Sequence, residues 1–102
     1  MSERESVSGQ SGAPSTSIQD RPVDRLPPFR VLLHNDPVND FDHVIDTLVD
    51  LTPLSPQRAE VVTREAHLSG VALVLVTHRE RAELYVDQFK SKRLTVTIEP
   101  SE

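Results

Sequence analysis

Three polar side chains, two in a short turn and one near the end of a predicted helix, have the chemistry to bind a charged ligand together. Asn35 and Asp36 follow a short apolar run, and His67 shares a helical face with Thr63 because residues four apart stack on a helix. An amide oxygen, a carboxylate and a neutral imidazole nitrogen all accept hydrogen bonds, so together they suit an ammonium group. The α-amino group of a peptide is such a ligand.

Apolar side chains on the same two predicted helices would line a hollow beneath these acceptors if the helices pack side by side. The candidates are Phe41, Val44, Thr63 and Ala66. Each site residue also has an ordinary structural explanation, since Asn-Asp-Pro is a common turn and a histidine in a last helical turn often offsets the helix dipole. Only the combination of a polar rim and an apolar hollow favours a binding site.

The elements that must position these side chains follow from the spacing of apolar residues, which predicts the order β-α-α-β-α-β. The predicted strands cover residues 29–34, 71–76 and 94–98, and the predicted helices cover residues 41–49, 56–69 and 79–90. This order indicates the α/β (α+β) class, as a two-layer sandwich with a three-stranded antiparallel sheet and three helices on one face.

Capping residues and strand character refine this prediction. Asn39 is expected to cap the first helix, Ser55 with Pro56 to open the second, and Gly70 to end it in a left-handed conformation. The strand Val71–Val76 is apolar on both faces, which predicts a central position in the sheet.

Composition excludes several classes of protein. The 102 residues carry 11 basic and 16 acidic side chains, a net charge of −5, which argues against a nucleic-acid binder or a polybasic membrane-surface protein. The chain has no cysteine, so thiolate metal sites and cysteine nucleophiles are excluded.

Residues 1–28 are rich in Ser, Pro and charge and are predicted to be disordered, so the folded domain is expected at residues 29–102. We expect the protein to be cytoplasmic.

Catalysis and metal binding find little support in the sequence. His43 lies between Asp40 and Asp42, a grouping that hints at a metal, but His43 is predicted on the solvent-facing side of its helix. A hydrolase using His67 as a base would need a nucleophile motif such as Gly-x-Ser-x-Gly, which the chain lacks, and a larger pocket that excludes water. The prediction is a binding protein with no catalytic residue, metal or cofactor.

Three stretches of the predicted domain resemble the ClpS adaptor family. They are VLLHNDPVNDFDHVIDTL (Val31–Leu48), EAHLSGVALVLV (Glu65–Val76) and LTVTIEP (Leu94–Pro100). The resemblance implies a non-enzymatic, monomeric adaptor of the bacterial N-end rule pathway. Such adaptors capture N-degron substrates, which have a free α-amino group and Leu, Phe, Tyr or Trp as first residue. They deliver these substrates to a ClpA- or ClpC-type AAA+ unfoldase that feeds the ClpP peptidase.

The resemblance also implies roles for individual residues. Asn35, Asp36 and His67 would bind the α-amino group; Phe41, Val44, Thr63, Ala66 and Leu94 would form the side-chain pocket; Glu80 and Tyr85 would contact the unfoldase.

The chain departs from the family pattern at four of these or neighbouring positions. Pro37 stands where many relatives have a second acidic residue that helps to hold the α-amino group. Phe41 and Thr63 stand where relatives have methionine, and a rigid ring with a short hydroxyl reshapes the pocket, so we expect a narrower preference that favours aromatic first residues. Tyr85 stands where relatives have a docking lysine.

A second interpretation starts from the predicted fold, which is similar to the C-terminal domain of the ribosomal stalk protein. By that resemblance the chain would recruit translation factors through a helix face. Such domains tend to present Lys and Gly there and need no Asn-Asp turn. Because this chain has few lysines, the adaptor interpretation is favoured.

Overall fold

The computed structural model describes residues 26–101, which form three helices and one three-stranded antiparallel sheet. The elements are β1 (Phe29–His34), α1 (Phe41–Leu51), α2 (Pro56–Ser69), β2 (Val71–Thr77), α3 (Arg79–Ser91) and β3 (Val96–Pro100). The predicted fold class and element order are confirmed. Of the segment predicted to be disordered, residues 1–25 lie outside the described residues, and the domain boundaries stay predictions.

The sheet has β1 in the middle, with β2 on one side and β3 on the other. The prediction that Val71–Val76 is central was therefore wrong, because β2 is an edge strand. Ala72 and Val74 face the core, whereas Leu73 and Val76 lie on the helix-free face of the sheet, where Val76 is 47% exposed. An apolar run can thus arise at an antiparallel edge that has no second helix layer, although such runs are typical of strands buried on both faces.

Helix boundaries follow local side-chain chemistry, with one difference from the prediction. Asp40, not Asn39, caps α1, because its Oδ1 accepts the backbone N–H of His43 at 2.9 Å. The side-chain NH2 of Asn39 instead donates to Asp36 Oδ2 at 2.6 Å and to the carbonyl of Arg93 at 2.8 Å, which holds this side chain in the turn. Ser55 caps α2 as predicted, and Gly70 ends α2 with the predicted left-handed backbone.

The core lies between the sheet and the helix layer. Its largest fully buried side chains are Phe89, Leu33, Leu48, Val31 and Val62. Helix α1 packs against α2, α2 covers β2, and α3 covers β3. This packing brings the beginning of α1 and the end of α2 to the end of β1. Among residues 26–101, no helix is long and apolar enough to cross a membrane.

Candidate binding site

A single hollow at the C-terminal end of β1 contains every residue predicted to bind a peptide. Its lining comprises Asn35, Asp36, Phe41, Val44, Thr63, Ala66, His67 and Leu94, together with Leu33, His34 and Asn39. Sequence reasoning missed the last three. Leu33 and His34 directly precede the Asn-Asp turn, so their place at the strand end was a usable signal. The sequence predicts Asn39 as a helix cap and gives no sign of its place in the lining.

Gly70 connects the two polar rim residues through the backbone. The N–H of Asn35 donates to the carbonyl of Gly70 at 3.0 Å, and the N–H of Gly70 donates to the carbonyl of Ala66 at 2.8 Å. Gly70 has φ = 91°, a conformation that favours glycine. The turn that carries Asn35 is therefore attached to the helix end that carries His67.

The carboxylate of Asp36 organises the turn from within. Its Oδ1 accepts the backbone N–H of Val38 at 2.8 Å, and its Oδ2 accepts the side-chain amide of Asn39 at 2.6 Å. The hydrogen bond from Val38, followed by the one from Asn39, holds the pKa of the Asp36 carboxyl below its usual value. Asp36 thus places a stable negative charge at the rim, while both of its oxygens are already engaged.

Two side chains from the α1 region hold the turn between α3 and β3. Asn39 Nδ2 donates to the carbonyl of Arg93 at 2.8 Å, and His43 Nε2 donates to the carbonyl of Lys92 at 2.9 Å. His43 is half-buried, which corrects the prediction that it faces solvent. Because Leu94 follows directly, these two bonds fix one apolar wall of the hollow.

The interior of the hollow is closed in this structure. The ring of Phe41 contacts the imidazole of His67 edge to face, with centroids 5.2 Å apart and planes at 76°. The space beneath is about 20 Å³, enough for about one water molecule. Phe41 is nevertheless 42% exposed, so its ring has open solvent on one side into which it can turn. This space is too small for a large side chain, and we expect the Phe41 ring to move when one enters.

The wall of the hollow contains one hydroxyl, which is satisfied internally. Thr63 is buried, and its Oγ1 donates to the carbonyl of Ala59 at 2.8 Å. The other buried lining residues, Leu33, Val44, Ala66 and Leu94, are apolar. The hollow below the rim therefore has no unpaired hydroxyl proton that would oppose an apolar ligand.

The rim, in contrast, contains hydrogen-bond acceptors that have no partner among the described residues. Within residues 26–101, the side-chain amide of Asn35 and the ring nitrogens of His67 make no hydrogen bond, and both residues are exposed. No group of three or more acidic or histidine side chains within that range is arranged to hold a metal ion. Asp40 and His43 are occupied by the helix cap and by the carbonyl of Lys92. This arrangement suits an organic cation rather than a metal.

The two residues predicted to contact an unfoldase occupy different environments. Glu80 is exposed in the first turn of α3. Tyr85 is only 3% exposed and packs in the core beside Phe89, with the guanidinium of Arg81 lying 5.4 Å above its ring. The structure does not place Glu80 and Tyr85 on one exposed patch, and their docking role stays a prediction.

Comparisons with known proteins show the family to which this chain belongs. The family model described as ATP-dependent Clp protease adaptor protein ClpS matches residues 24–97. The ATP-dependent Clp protease adapter protein ClpS of Synechococcus sp. (strain CC9902) is 51% identical over 79 residues, which are 76% of each chain. The protein of the same name from Prochlorococcus marinus (strain MIT 9515) is 43% identical over 79 residues, 76% of this chain and 75% of that one.

A solved structure shares the fold. The structure of Agrobacterium tumefaciens ClpS2 bound to L-phenylalaninamide superposes with a TM-score of 0.71 at 26% sequence identity, covering 76% of this chain and all of that one. With the family match across most of the chain and relatives as similar as 51%, this protein belongs to the ClpS family of Clp protease adaptor proteins.

Proposed function

We propose that this protein binds N-degrons, which are peptide N-termini with a free α-amino group and a large hydrophobic first residue, and delivers them to the unfoldase of a Clp protease. The observation that carries the proposal is the hollow itself, in which acceptors on Asn35 and His67 that make no hydrogen bond within residues 26–101 lie above buried apolar walls. L-Phenylalaninamide, the ligand of the similar Agrobacterium protein, combines an α-amino group with one large apolar side chain. On this proposal the protein acts by binding and not by catalysis.

Recognition of the α-amino group would rest on complementary hydrogen bonds. An ammonium group has three donors, and the Asn35 amide oxygen and a neutral His67 nitrogen can accept two of them. Hydrogen bonds to a charged group are worth about 1.5–3 kcal/mol each. Acetylation removes the charge and leaves one N–H, so a blocked peptide would lose most of this recognition.

The charge for this interaction would come from Asp36 acting at a distance. Pro37 supplies no carboxylate, and both oxygens of Asp36 already accept hydrogen bonds from the turn. The ionised carboxylate still attracts an ammonium group through space. We therefore propose that Asp36 contributes to affinity mainly by Coulomb attraction and by shaping the turn.

Burial of the first side chain would supply the remaining affinity. Fully burying a large apolar side chain is worth about 1.5–3 kcal/mol. Since ordering of the peptide and displacement of Phe41 oppose binding, we expect micromolar-scale affinity. A flat aromatic side chain can stack against the displaced Phe41 ring, which favours Phe, Tyr and Trp over Leu.

Fluorescence anisotropy of a labelled peptide that begins with Phe tests the proposal directly. The free peptide is expected to bind, and its acetylated twin to bind at least about tenfold more weakly, because it loses the charged donors. His67→Ala should weaken capture of the free peptide, with an unchanged melting temperature. His78→Ala, at an exposed histidine outside the hollow, is the matched control and should bind normally. Equal binding of the free and acetylated peptides would overturn the proposal.

Delivery requires a separate contact with the unfoldase. Glu80, exposed at the start of α3, is the residue we propose for docking on the N-terminal domain of a ClpA- or ClpC-type protein, and the burial of Tyr85 leaves it at most an indirect role. Glu80→Lys and deletion of residues 1–20 should each spare peptide capture and slow degradation by the reconstituted protease. We propose that the adaptor acts as a monomer in the cytoplasm.

A further inference from the structure

A shallow groove runs between α3 and the outer edge of β3. Glu83, Val86 and Asp87 form its helical side, and Val96, Thr97 and Ile98 form its strand side; we call these six residues the edge groove. Its volume is about 470 Å³, and it shares no residue with the hollow. Val86 and Ile98 are half-buried and pack against the core, so they give the edge groove an apolar floor.

The backbone of β3 presents regularly spaced hydrogen-bonding groups to the edge groove. In the antiparallel pairing with β1, the N–H of His34 donates to the carbonyl of Thr95 at 3.0 Å. Hydrogen-bonded positions alternate along such a ladder, so the amide and carbonyl groups of Val96 and Ile98 point away from β1. No strand within residues 26–101 pairs with this edge. Groups two residues apart match the repeat of another extended chain.

The electrostatic character of the edge groove is acidic. Glu83 and Asp87 lie one helical turn apart on α3, and no basic side chain lines the groove. Glu83 has an exposed ion pair with Arg79 at 3.1 Å, which holds it only weakly. Asp87 is exposed and makes no ion pair with residues 26–101.

We propose that the edge groove binds an extended segment of a partner protein in which a Lys or Arg stands between two apolar residues at alternating positions. Such a segment would add to the sheet as a fourth strand through the backbone of Val96 and Ile98. Its alternate side chains would face α3, where apolar groups contact Val86 and the basic group lies near Glu83 and Asp87. This interaction is separate from the proposed function of the hollow.

A second copy of the chain fits this edge poorly. Antiparallel pairing of two β3 edges would place α3 beside its equivalent, so that Glu83 and Asp87 of each copy would face the same carboxylates. Like charges in that position repel, and the net charge of −5 adds to the repulsion. A basic partner segment removes this conflict.

Amide NMR on the isotope-labelled full chain tests the proposal with the peptide acetyl-Thr-Val-Thr-Arg-Thr-Val-Thr-amide. The blocked N-terminus keeps this probe out of the hollow, so the result does not depend on the proposed function. We expect saturable shifts and slowed hydrogen exchange at the amides of Val96 and Ile98. The same peptide with Glu in place of Arg should bind about threefold or more weakly, which is the size of effect expected for exposed charges.

The matched variants are Asp87→Lys in the edge groove and Asp50→Lys on α1. The first should weaken the Arg peptide about three- to tenfold, and the second should leave its affinity unchanged. Amides of Val96 and Ile98 that are already protected without peptide would show that residues 1–25 or a second copy occupies the edge, which overturns the proposal. Protection that decreases on dilution would indicate a second copy, and protection that does not change would indicate residues 1–25. Absence of shifts, or equal binding of the Arg and Glu peptides, would overturn it as well.

Discussion

The hollow and the edge groove differ in how their polar groups are satisfied. Around the hollow, the side chains of Asp36, Asn39 and His43 hydrogen-bond to each other or to backbone carbonyls, and the interior is closed to about 20 Å³. The edge groove is open, about 470 Å³. The polar groups facing it are exposed carboxylates and the backbone of an edge strand that pairs with no further strand among the described residues.

This contrast indicates two kinds of recognition in one small domain. A closed cavity with a few fixed acceptors discriminates by side-chain size and by the charge of one group. An open strand edge recognises any extended chain and derives selectivity only from charge and alternation. Four predictions about the hollow and the turns around it test its side of this contrast, from the largest expected effect to the smallest.

Removal of the Asn39 side chain should have the largest effect. Asn39→Ala breaks the bonds to Asp36 and to the carbonyl of Arg93, so the free energy of unfolding is expected to fall by about 1–3 kcal/mol. Peptide capture should weaken as well, because Leu94 is no longer held. Asn35→Ala is the matched control, since its side chain makes no bond within residues 26–101 and its loss should weaken capture without lowering stability. Urea unfolding and anisotropy measure the two effects, and equal stability losses would contradict the prediction.

Opening the hollow should relax its selectivity by about tenfold. The closed contact between Phe41 and His67 leaves a narrow mouth, which a β-branched first residue such as Ile should pass less readily than Phe. In Phe41→Ala, the ratio of affinities for Phe- and Ile-initiated peptides should fall about tenfold, a change of about 1.4 kcal/mol. Val38→Ala, at an exposed side chain of the preceding turn, should keep the original ratio. An unchanged ratio in Phe41→Ala would show that Phe41 does not control entry.

The turn between α3 and β3 offers a gain in stability. Arg93 has φ = 67°, in the left-handed region that suits glycine after a helix end. Arg93→Gly is expected to raise the free energy of unfolding by about 0.5–1 kcal/mol, with no change in peptide affinity since the bond to Asn39 uses the backbone carbonyl. Thermal melts check the gain, and a decrease would mean that the Arg93 side chain has a structural role.

Acidification to low pH should destabilise the turn that Asp36 organises. Because the folded-state pKa of Asp36 lies below its value in the unfolded chain, its contribution to stability is complete above about pH 4 and is lost as pH falls toward the folded-state pKa. Asp36→Asn should therefore show a weaker loss of stability between neutral pH and pH 3 than the parent protein. An equal loss of stability with falling pH in Asp36→Asn and in the parent protein, measured by urea unfolding, would contradict this assignment.

The parts of the fold and site that sequence reasoning predicted depend on local patterns. Apolar spacing is sufficient to place the helices and strands. Ser55 marks the start of α2 by its side-chain hydroxyl, and Gly70 marks the end of α2 by its left-handed backbone. The convergence of Asn35 and His67 followed from the same elements, since Asn35 directly follows β1 and His67 lies in the last turn of α2, which packs against β1.

What could not be predicted depends on contacts between distant parts of the chain. Asn39 is a residue type that often caps helices. Its side-chain NH2 instead donates to the carbonyl of Arg93, which is 54 positions away, and Asp40 caps the helix. His43 likewise turns inward because it meets Lys92. The closure of the hollow by Phe41 depends on ring orientation, which no spacing rule encodes.

The left-handed backbone of Gly70 has a consequence for how this protein tolerates mutation. A Cβ at this position would meet no atom within 4 Å, so a larger residue would be opposed by torsional strain and not by crowding. The domain could absorb that strain by tilting the last turn of α2, which would alter the spacing between the Asn35 and His67 groups while the core stayed intact. Substitutions at this single position would then change how well the protein discriminates between ligands while the domain stays folded.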